Sequence, residues 1–275
     1  MTLRRSAIVA GLAAAVLAAP AAADAATTTS SNWAGYAVSK SGVKFRRVAA
    51  TWVVPTATCS ATGSRRYSAA WLGLGGYHTS SSALEQIGTE TDCTAKGTPS
   101  YSAWYEMVPD APVDIDLTIK PGDTVSASVS VSDHTVKLYL ANRMRGTKFT
   151  KQMTVDRVDV TSADWIVEAP SACYGNRCET LPLANFGATT FANANATATT
   201  GHQGAINDPA WAAISIALRS DRGRAFGGRF TADSGNAAAS PGDLSATGNG
   251  FAVTYEEAAA QAQPDPSGPP SAPPV

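Results

Sequence analysis

The sequence carries little charge, and what it carries is balanced. Charged residues make up 16% of the 275, with 21 basic and 22 acidic side chains. There is no broad basic field of the kind that binds nucleic acid and no polybasic run of the kind that binds a membrane surface. After the first 25 residues, no segment is apolar enough to hold the chain in a bilayer. We therefore expect neither nucleic acid nor a membrane as a stable partner.

The sequence also lacks the motifs of several hydrolase classes. It has no Gly-x-Ser-x-Gly to expose a serine nucleophile and no His-Glu-x-x-His to bind a catalytic zinc ion. A structural zinc site is not expected either, because no Cys-x-x-Cys pair occurs and the three histidines lie far in sequence from the cysteines. We expect no metal and no cofactor.

No convincing amphipathic helix is present, whereas 23 glycines and 16 prolines punctuate the chain. Short β-rich runs between turn signals predict an all-β fold in which two antiparallel sheets pack as a β-sandwich of the jelly-roll or concanavalin-like type. Residues 193–201 suit either a strand or a loop. The predicted strands span 32–38, 45–54, 68–74, 84–89, 101–108, 113–119, 124–131, 134–141, 148–155, 163–168, 186–192, 213–218, 226–231 and 250–255.

The two ends of the chain differ in composition from the rest. Arg4 and Arg5 precede a short apolar run and small residues, which is typical of a signal peptide over residues 1–25. A Pro/Ala-rich tail, residues 257–275, is predicted to be disordered. Between them, residues 26–256 are predicted to form a single β-sandwich domain of a secreted protein, which we expect to be a monomer.

Four cysteines in an exported chain predict two disulfides. Three pairings are possible for four cysteines. We favour Cys173–Cys178 as a clip on one loop, which leaves Cys59–Cys93 as the second bond.

The strand that ends at Glu168 is the most informative stretch. Because side chains alternate along a strand, Ile166 and Glu168 face one way while Trp165 and Val167 face the other. Glu168 therefore lies among apolar neighbours with no basic residue nearby in sequence. Loss of water disfavours the charged form of such a carboxyl group and raises its pKa, which suits an acid/base catalyst. The simpler reading is a solvent-facing glutamate at a strand edge.

Glu106 and Gln86 also lie in predicted strands with aromatic or apolar neighbours. Together with Glu168 they form a set of carboxylates and one amide on a sandwich rich in tryptophan. Any one tryptophan is equally well explained by core packing.

Six motifs in order resemble the eqolisin family, the glutamic peptidases. The resemblance covers roughly Ser31 to Tyr255. The motifs are Ser31-Asn32-Trp33-Ala34-Gly35, Ala50-Thr51-Trp52-Val53-Val54-Pro55, Ala70-Trp71-Leu72-Gly73, Leu84-Glu85-Gln86-Ile87-Gly88, Trp104-Tyr105-Glu106-Met107-Val108-Pro109 and Trp165-Ile166-Val167-Glu168, followed by Leu183-Ala184-Asn185-Phe186-Gly187.

This resemblance implies two seven-stranded sheets with a cleft on the concave face. It also implies a catalytic pair that maps onto Gln86 and Glu168, with Trp33, Trp71, Glu106 and Glu90 lining the substrate site. Two positions depart from the family pattern, since Gly75 and Glu90 stand where the family often has aspartate. Only a few residues separate the predicted cleavage site from Ser31, so we expect no long propeptide.

The expected function is thus a secreted acid endopeptidase acting on polypeptides. Glu168 would start as the carboxylate, take a proton from water and then pass it to the departing amine, while Gln86 stabilises the oxyanion. Two alternatives stay open: a jelly-roll glycoside hydrolase using Glu106 and Glu168, and a non-catalytic carbohydrate-binding sandwich that stacks sugars on its tryptophans.

Overall fold

The computed structural model describes residues 25–174, 177–219, 230–232 and 238–257. These residues contain nineteen strands and no helix, which confirms the all-β prediction. The predicted signal peptide, apart from Ala25, and the predicted tail after Glu257 lie outside the described residues, as does most of the predicted strand 226–231. In the part of the chain that is described, no helix is long and apolar enough to cross a membrane.

The strands follow one another closely along the chain. They are β1 Ala26–Ser30, β2 Trp33–Ser39, β3 Phe45–Val53, β4 Ala69–Gly75, β5 Leu84–Cys93, β6 Pro99–Val108, β7 Val113–Ile115, β8 Thr124–Ser132, β9 Thr135–Asn142, β10 Thr147–Thr154, β11 Ser162–Glu168, β12 Ser171–Tyr174, β13 Arg177–Thr180, β14 Ala188–Ala198, β15 Gln203–Gly204, β16 Ala212–Arg219, β17 Phe230–Ala232, β18 Ala238–Pro241 and β19 Phe251–Glu256.

Fourteen strands form one hydrogen-bonded path in two groups of seven. The first group runs β10-β9-β8-β3-β14-β19-β18 and the second runs β16-β2-β11-β4-β5-β6-β7. The two groups meet through β16 and β18, whose described residues pair at Leu218 with Ala239 and at Arg219 with Ala238. The expected two seven-stranded sheets are therefore joined along one edge into a single curled sheet.

The two groups of strands pack face to face around the main core. Its largest fully buried side chains include Trp52 of β3 and Trp165 of β11. Both indoles satisfy their N–H groups across the core: Trp165 Nε1 donates to the carbonyl oxygen of Ala49 at 3.0 Å, and Trp52 Nε1 donates to Thr89 Oγ1 at 3.0 Å. These bonds link β11 and β5 of the second group to β3 of the first, because a buried indole N–H needs a partner.

The structure differs from the sequence prediction at a few elements. β1 pairs with β16 in parallel, so the large sheet is not wholly antiparallel. The undecided segment 193–201 is strand as far as Ala198, and its register shifts between Ala192 and Asn195, where Asn193 has a φ of 54°. Short strands β12, β13, β15 and β18 lie where the sequence pattern predicted none, because two to four residues are too few to show an alternation.

Both disulfides form as predicted. Cys59 pairs with Cys93 and Cys173 with Cys178, with Cα–Cα distances of 5.4 and 4.0 Å. Cys59 and Cys93 are separated by 34 residues, whereas the second pair closes the β12–β13 hairpin with a separation of 5.

The loop lengths predict unequal contributions to stability. Loop-closure entropy assigns about 4 kcal/mol to the 34-residue separation and about 2 kcal/mol to the 5-residue one. We expect Cys59→Ala/Cys93→Ala to lower the free energy of unfolding by about twice as much as Cys173→Ala/Cys178→Ala, measured by urea unfolding. A larger loss from the hairpin pair would contradict this assignment.

Candidate active site

The candidate site residues share one face of the second group of strands. Ile166 packs with Trp71 and Trp104 in a cluster separate from the main core, whereas Trp165 and Val167 belong to the main core. The alternation predicted for β11 is therefore confirmed, and it turns Glu168 toward the tryptophan-lined face. Alternation in the neighbouring strands turns Gln86 and Glu106 toward the same face.

The carboxyl group of Glu168 is held by two N–H donors. Trp71 Nε1 donates to Oε2 at 2.8 Å, and Asn32 Nδ2 donates to Oε1 at 2.9 Å. The ring of Trp33 meets that of Trp71 edge to face, with centroids 5.0 Å apart. Each carboxyl oxygen thus has one fixed donor, which leaves further acceptor capacity on both oxygens.

Two glycines allow the strands and rings around Glu168 to approach closely. A Cβ on Gly88 of β5 would lie 2.6 Å from the Cβ of Trp71, so only glycine leaves room for that indole. Gly35 of β2 has a φ of 148°, and a Cβ there would lie 2.1 Å from the carbonyl oxygen of Trp165. These positions therefore set how Trp71 and β11 sit beneath the site.

Burial is the main influence on the protonation of Glu168. It raises the pKa of the carboxyl group to about 8, and the nearby negative charge of Glu106 acts in the same direction. The N–H groups of Trp71, Trp33 and Asn32 act in the opposite sense, because they favour the ionised form. The net result is a carboxyl group that holds its proton well above the usual range.

Gln86 and Glu106 are cross-strand neighbours on β5 and β6. Gln86 Nε2 donates to Glu106 Oε2 at 2.5 Å. Gln86 is only 3% exposed, and its Oε1 is a buried acceptor without a partner in the described part of the chain. Burial raises the pKa of Glu106, and the bond from Gln86 partly offsets this.

Glu168 and Gln86 lie on either side of β4. Glu168 pairs in register with Ala69 of that strand and Gln86 with Gly73. The two side chains therefore lie on the same face of the sheet but at different positions along the strands. No hydrogen bond joins them directly among the residues described. Glu106 connects them electrostatically, because it accepts the bond from Gln86 and its charge raises the pKa of Glu168.

Glu90 also lies on this face, level with Glu168. The register runs from Glu168 through Ala69 to Glu90 and then to Ser102, whose hydroxyl donates to Glu90 Oε2 at 2.9 Å. Burial raises the pKa of Glu90, and the charge of Asp114 adds to this effect. All six predicted catalytic and substrate-site positions therefore lie on the second group of strands.

Sequence reasoning missed two residues of this face. Asn32 donates to Glu168 although 136 residues separate them, and the only signal was that it precedes Trp33 in the first motif. Trp104 is buried on the same face, and its Nε1 has no partner within the described ranges.

The departure at Gly75 has a structural counterpart. Gly75 has a φ of 82°, and a Cβ there would lie 2.5 Å from the Cβ of Asp159. Asp159 accepts hydrogen bonds from Ser81 and Thr161, and these bonds lower its pKa despite its partial burial. A carboxylate thus lies beside β4 even though Gly75 has no side chain.

No group of three or more His, Cys, Asp or Glu side chains suited to holding a metal ion occurs among the residues described. The chemistry available on this face is that of carboxyl groups, one primary amide and indole N–H donors.

Comparison with known proteins gives a consistent family. The sequence profile of the Peptidase A4 family matches residues 31–221. Aspergillopepsin-2 from Aspergillus niger is 30% identical over an alignment of 191 residues, and the match covers 64% of its length and 61% of this chain. Scytalidopepsin B from Scytalidium lignicola is 33% identical over 190 residues, 68% of its length and 66% of this chain. The chain thus spans just under two thirds of aspergillopepsin-2.

Solved structures extend the similarity to the fold. Scytalido-glutamic peptidase with a transition state analog inhibitor matches with a TM-score of 0.63 and 27% identity, over 82% of this chain and 98% of that one. Aspergilloglutamic peptidase from Aspergillus niger matches with a TM-score of 0.52 and 28% identity, over 70% of this chain and 99% of that one.

The resemblance expected from the six motifs is therefore confirmed: the chain belongs to the Peptidase A4 family, the eqolisins.

Proposed function

We propose that this protein is a secreted endopeptidase that works in acid, with Glu168 and Gln86 as its catalytic pair. The observation that carries the proposal is the enclosed carboxyl group of Glu168, held by Trp71 and Asn32 on the face that it shares with Gln86. Export is supported by the predicted leader and by two disulfides, which persist in oxidising compartments.

The relatives support a peptide as the substrate. A structure of an eqolisin in complex with the tripeptide Ala-Ile-His matches this chain with a TM-score of 0.60 and 26% identity, over 82% of this chain and 98% of that one. Another relative is described with a peptide-based transition state analog. We infer that the tryptophan-lined face binds polypeptide here as well, with Trp33, Trp71, Glu90 and Glu106 beside the substrate.

Buried carboxyl groups support acid as the working condition. Burial raises the pKa of Glu85 and Glu168 to about 8 and that of Asp92 to about 7. Burial also raises the pKa of Asp164, which is fully buried, and its Oδ1 has no hydrogen-bond partner among the described residues. Each of these groups is accommodated more easily when it is protonated, because ionising it would bury an unpaired charge.

The raised pKa changes the order of proton transfers expected from the sequence. Below pH 7, Glu168 carries its proton in most molecules, so in acid the reaction starts from the carboxylic acid. Water attacks the peptide carbonyl carbon. One carboxyl oxygen of Glu168 takes a proton from this water while the other gives its proton to the carbonyl oxygen. The product is a neutral diol, and Glu168 is again protonated.

The second step breaks the peptide bond. Glu168 donates its proton to the amide nitrogen and takes one from a diol hydroxyl as the C–N bond breaks, which releases an acid and an amine. Gln86 can donate the second hydrogen of Nε2 to the carbonyl oxygen, because the first is bonded to Glu106 Oε2. Negative charge builds on that carbonyl oxygen in the transition state before its proton arrives, and a single donor to it is worth about 3–4 kcal/mol.

The glycoside hydrolase alternative is less well supported. It requires Glu106 to act as a free second carboxyl group. Glu106 instead accepts a short hydrogen bond from Gln86, and all the matched relatives named above are peptidases.

Two substitutions test the catalytic pair. Glu168→Gln should lower kcat by roughly 10²–10⁴-fold or more, because proton transfer is lost. Gln86→Met should lower it by roughly 10²–10³-fold, because a donor to the negative charge that develops on the carbonyl oxygen in the transition state is lost. Both keep side-chain length, so the urea unfolding midpoint should stay close to the parent's. The assay is peptide release from denatured protein at about pH 4, with the exposed Glu257→Gln as control. Full activity in Glu168→Gln would refute the assignment.

The pH profile tests which form of Glu168 starts the reaction. Activity should fall as pH rises through the pKa of Glu168, because the proton donor is lost. Asn32→Ala removes an N–H group that favours the ionised form, so the pKa should rise and this fall should move up by roughly one pH unit. Asn195→Ala, on the first group of strands, should leave the profile unchanged. A fall that moves to lower pH in Asn32→Ala would contradict the proposal.

Stability should decrease as the solution becomes alkaline. Burial, aided by the charge of Asp159, raises the pKa of Glu85 to about 8 from its usual 4.5. The stability that this carboxyl group contributes to the folded state is therefore fully present below pH 4.5 and is lost as the pH rises from 4.5 to 8. The free energy of unfolding of Glu85→Gln, minus that of the parent, should therefore be larger at pH 8 than at pH 4. Urea unfolding at both values measures this. An equal difference at both would show that Glu85 does not titrate in this way.

A further inference from the structure

A row of polar side chains crosses the outer face of the first group of strands, away from the candidate active site. The register places its members side by side on six neighbouring strands, β15, β14, β3, β8, β9 and β10. With neighbouring strands about 4.8 Å apart, the row is roughly 24 Å long. Its members in order are Gln203, Thr197, Arg47, Ser130, Lys137 and Gln152.

This row lies along the floor of a groove of about 420 Å³. Ser132, Thr135, Arg46 and Gly201 also line the groove. The side chains point away from the main core because the alternate residues of the same strands, such as Val129 and Leu138, are fully buried in it. Thr197 is nevertheless covered, with 5% of its surface exposed. The groove is therefore a surface built from strand positions.

The lining of the groove carries positive charge, and no acidic side chain among the described residues forms a salt bridge with it. Arg46 and Lys137 are exposed and Arg47 is half-buried, and none of the three forms a salt bridge within the described residues. No aspartate or glutamate is among the lining residues. Asp133 follows the lining residue Ser132 in sequence and lies in the turn between β8 and β9. An anionic partner is thus favoured at this groove.

The chemistry of the lining favours a sugar polymer over a nucleic acid. The hydroxyl and amide groups between the cations can donate to and accept from sugar hydroxyls. No aromatic side chain is among the described residues that line the groove, whereas proteins that bind single-stranded nucleic acid combine a basic groove with aromatic rings on which the bases stack. Arg47 and Lys137 are two strands apart, roughly 9.5 Å, so these two charges can meet separate anionic groups of one polymer.

We propose that this groove binds an extended acidic polysaccharide. Arg47 and Lys137 would bind carboxylate groups on separate sugar units, and the accessible serine and glutamine side chains of the groove would bind sugar hydroxyls. Binding there leaves the tryptophan-lined face free, because that face belongs to the second group of strands. The groove would thus hold the protein on an anionic matrix without occupying the candidate active site.

The test uses the full chain and immobilised polygalacturonate at about pH 6 and low salt. The parent should be retained and should be released by added salt, and it should bind neutral dextran weakly. Arg47→Gln/Lys137→Gln should weaken polygalacturonate binding by roughly tenfold or more, because two charge-assisted contacts are lost. Lys40→Gln/Lys96→Gln removes the same charge from exposed positions outside the groove and should change binding by less than about twofold.

Peptide release from denatured protein should be equal in all three proteins, which shows that the variants are folded. If the Arg47 variant does not fold, Arg46→Gln/Lys137→Gln replaces it, since both of those side chains are exposed. The proposal is overturned if the parent is not retained, if the groove variant binds as tightly as the parent, or if the control pair loses as much affinity. Groove-dependent binding of oligo-dT that is as tight as that of polygalacturonate would also overturn it in favour of nucleic acid.

Discussion

An acidic side chain enclosed by indole rings, with no cation bound to it in the described residues, is the constraint on which the site depends. Ionising Glu168 places a negative charge among Trp71, Trp33 and Ile166, where only N–H dipoles can stabilise it. The surroundings of this carboxyl group follow from backbone details. Gly88 leaves room for the indole of Trp71, and Gly35 lets the backbones of β2 and β11 approach. The chemistry of Glu168 is therefore set by how tightly four strands, β2, β4, β5 and β11, pack.

The same principle extends through the second group of strands. Glu85, Asp92 and Asp164 are buried as well, and each is better accommodated as a neutral acid. The first group of strands has a different character, since its outer face carries Arg47 and Lys137, which form no salt bridge within the described ranges. These buried acids and the basic groove therefore lie on different groups of strands.

Local patterns predicted the features that depend on neighbouring residues in sequence. Alternation along β11 gave the orientation of Glu168, and the cysteine spacing gave both disulfides. Features formed by segments that are far apart in sequence could not be predicted from local patterns. Asn32 finds Glu168 through strand pairing across 136 residues, and the pairing of Gln86 with Glu106 depends on the register of β5 and β6. The parallel strand β1 was missed because its Thr-rich run shows no apolar alternation.

Glu168 is expected to keep its proton in acid and near neutrality, because its half-buried carboxyl group lies among indole rings. The most direct test is the carboxyl C=O stretch of Glu168 in infrared difference spectra between the parent and Glu168→Gln, recorded across pH. We expect the protonated band to persist well above pH 4.5 and to disappear near pH 8. Disappearance near pH 4.5, as for an exposed glutamate, would contradict it.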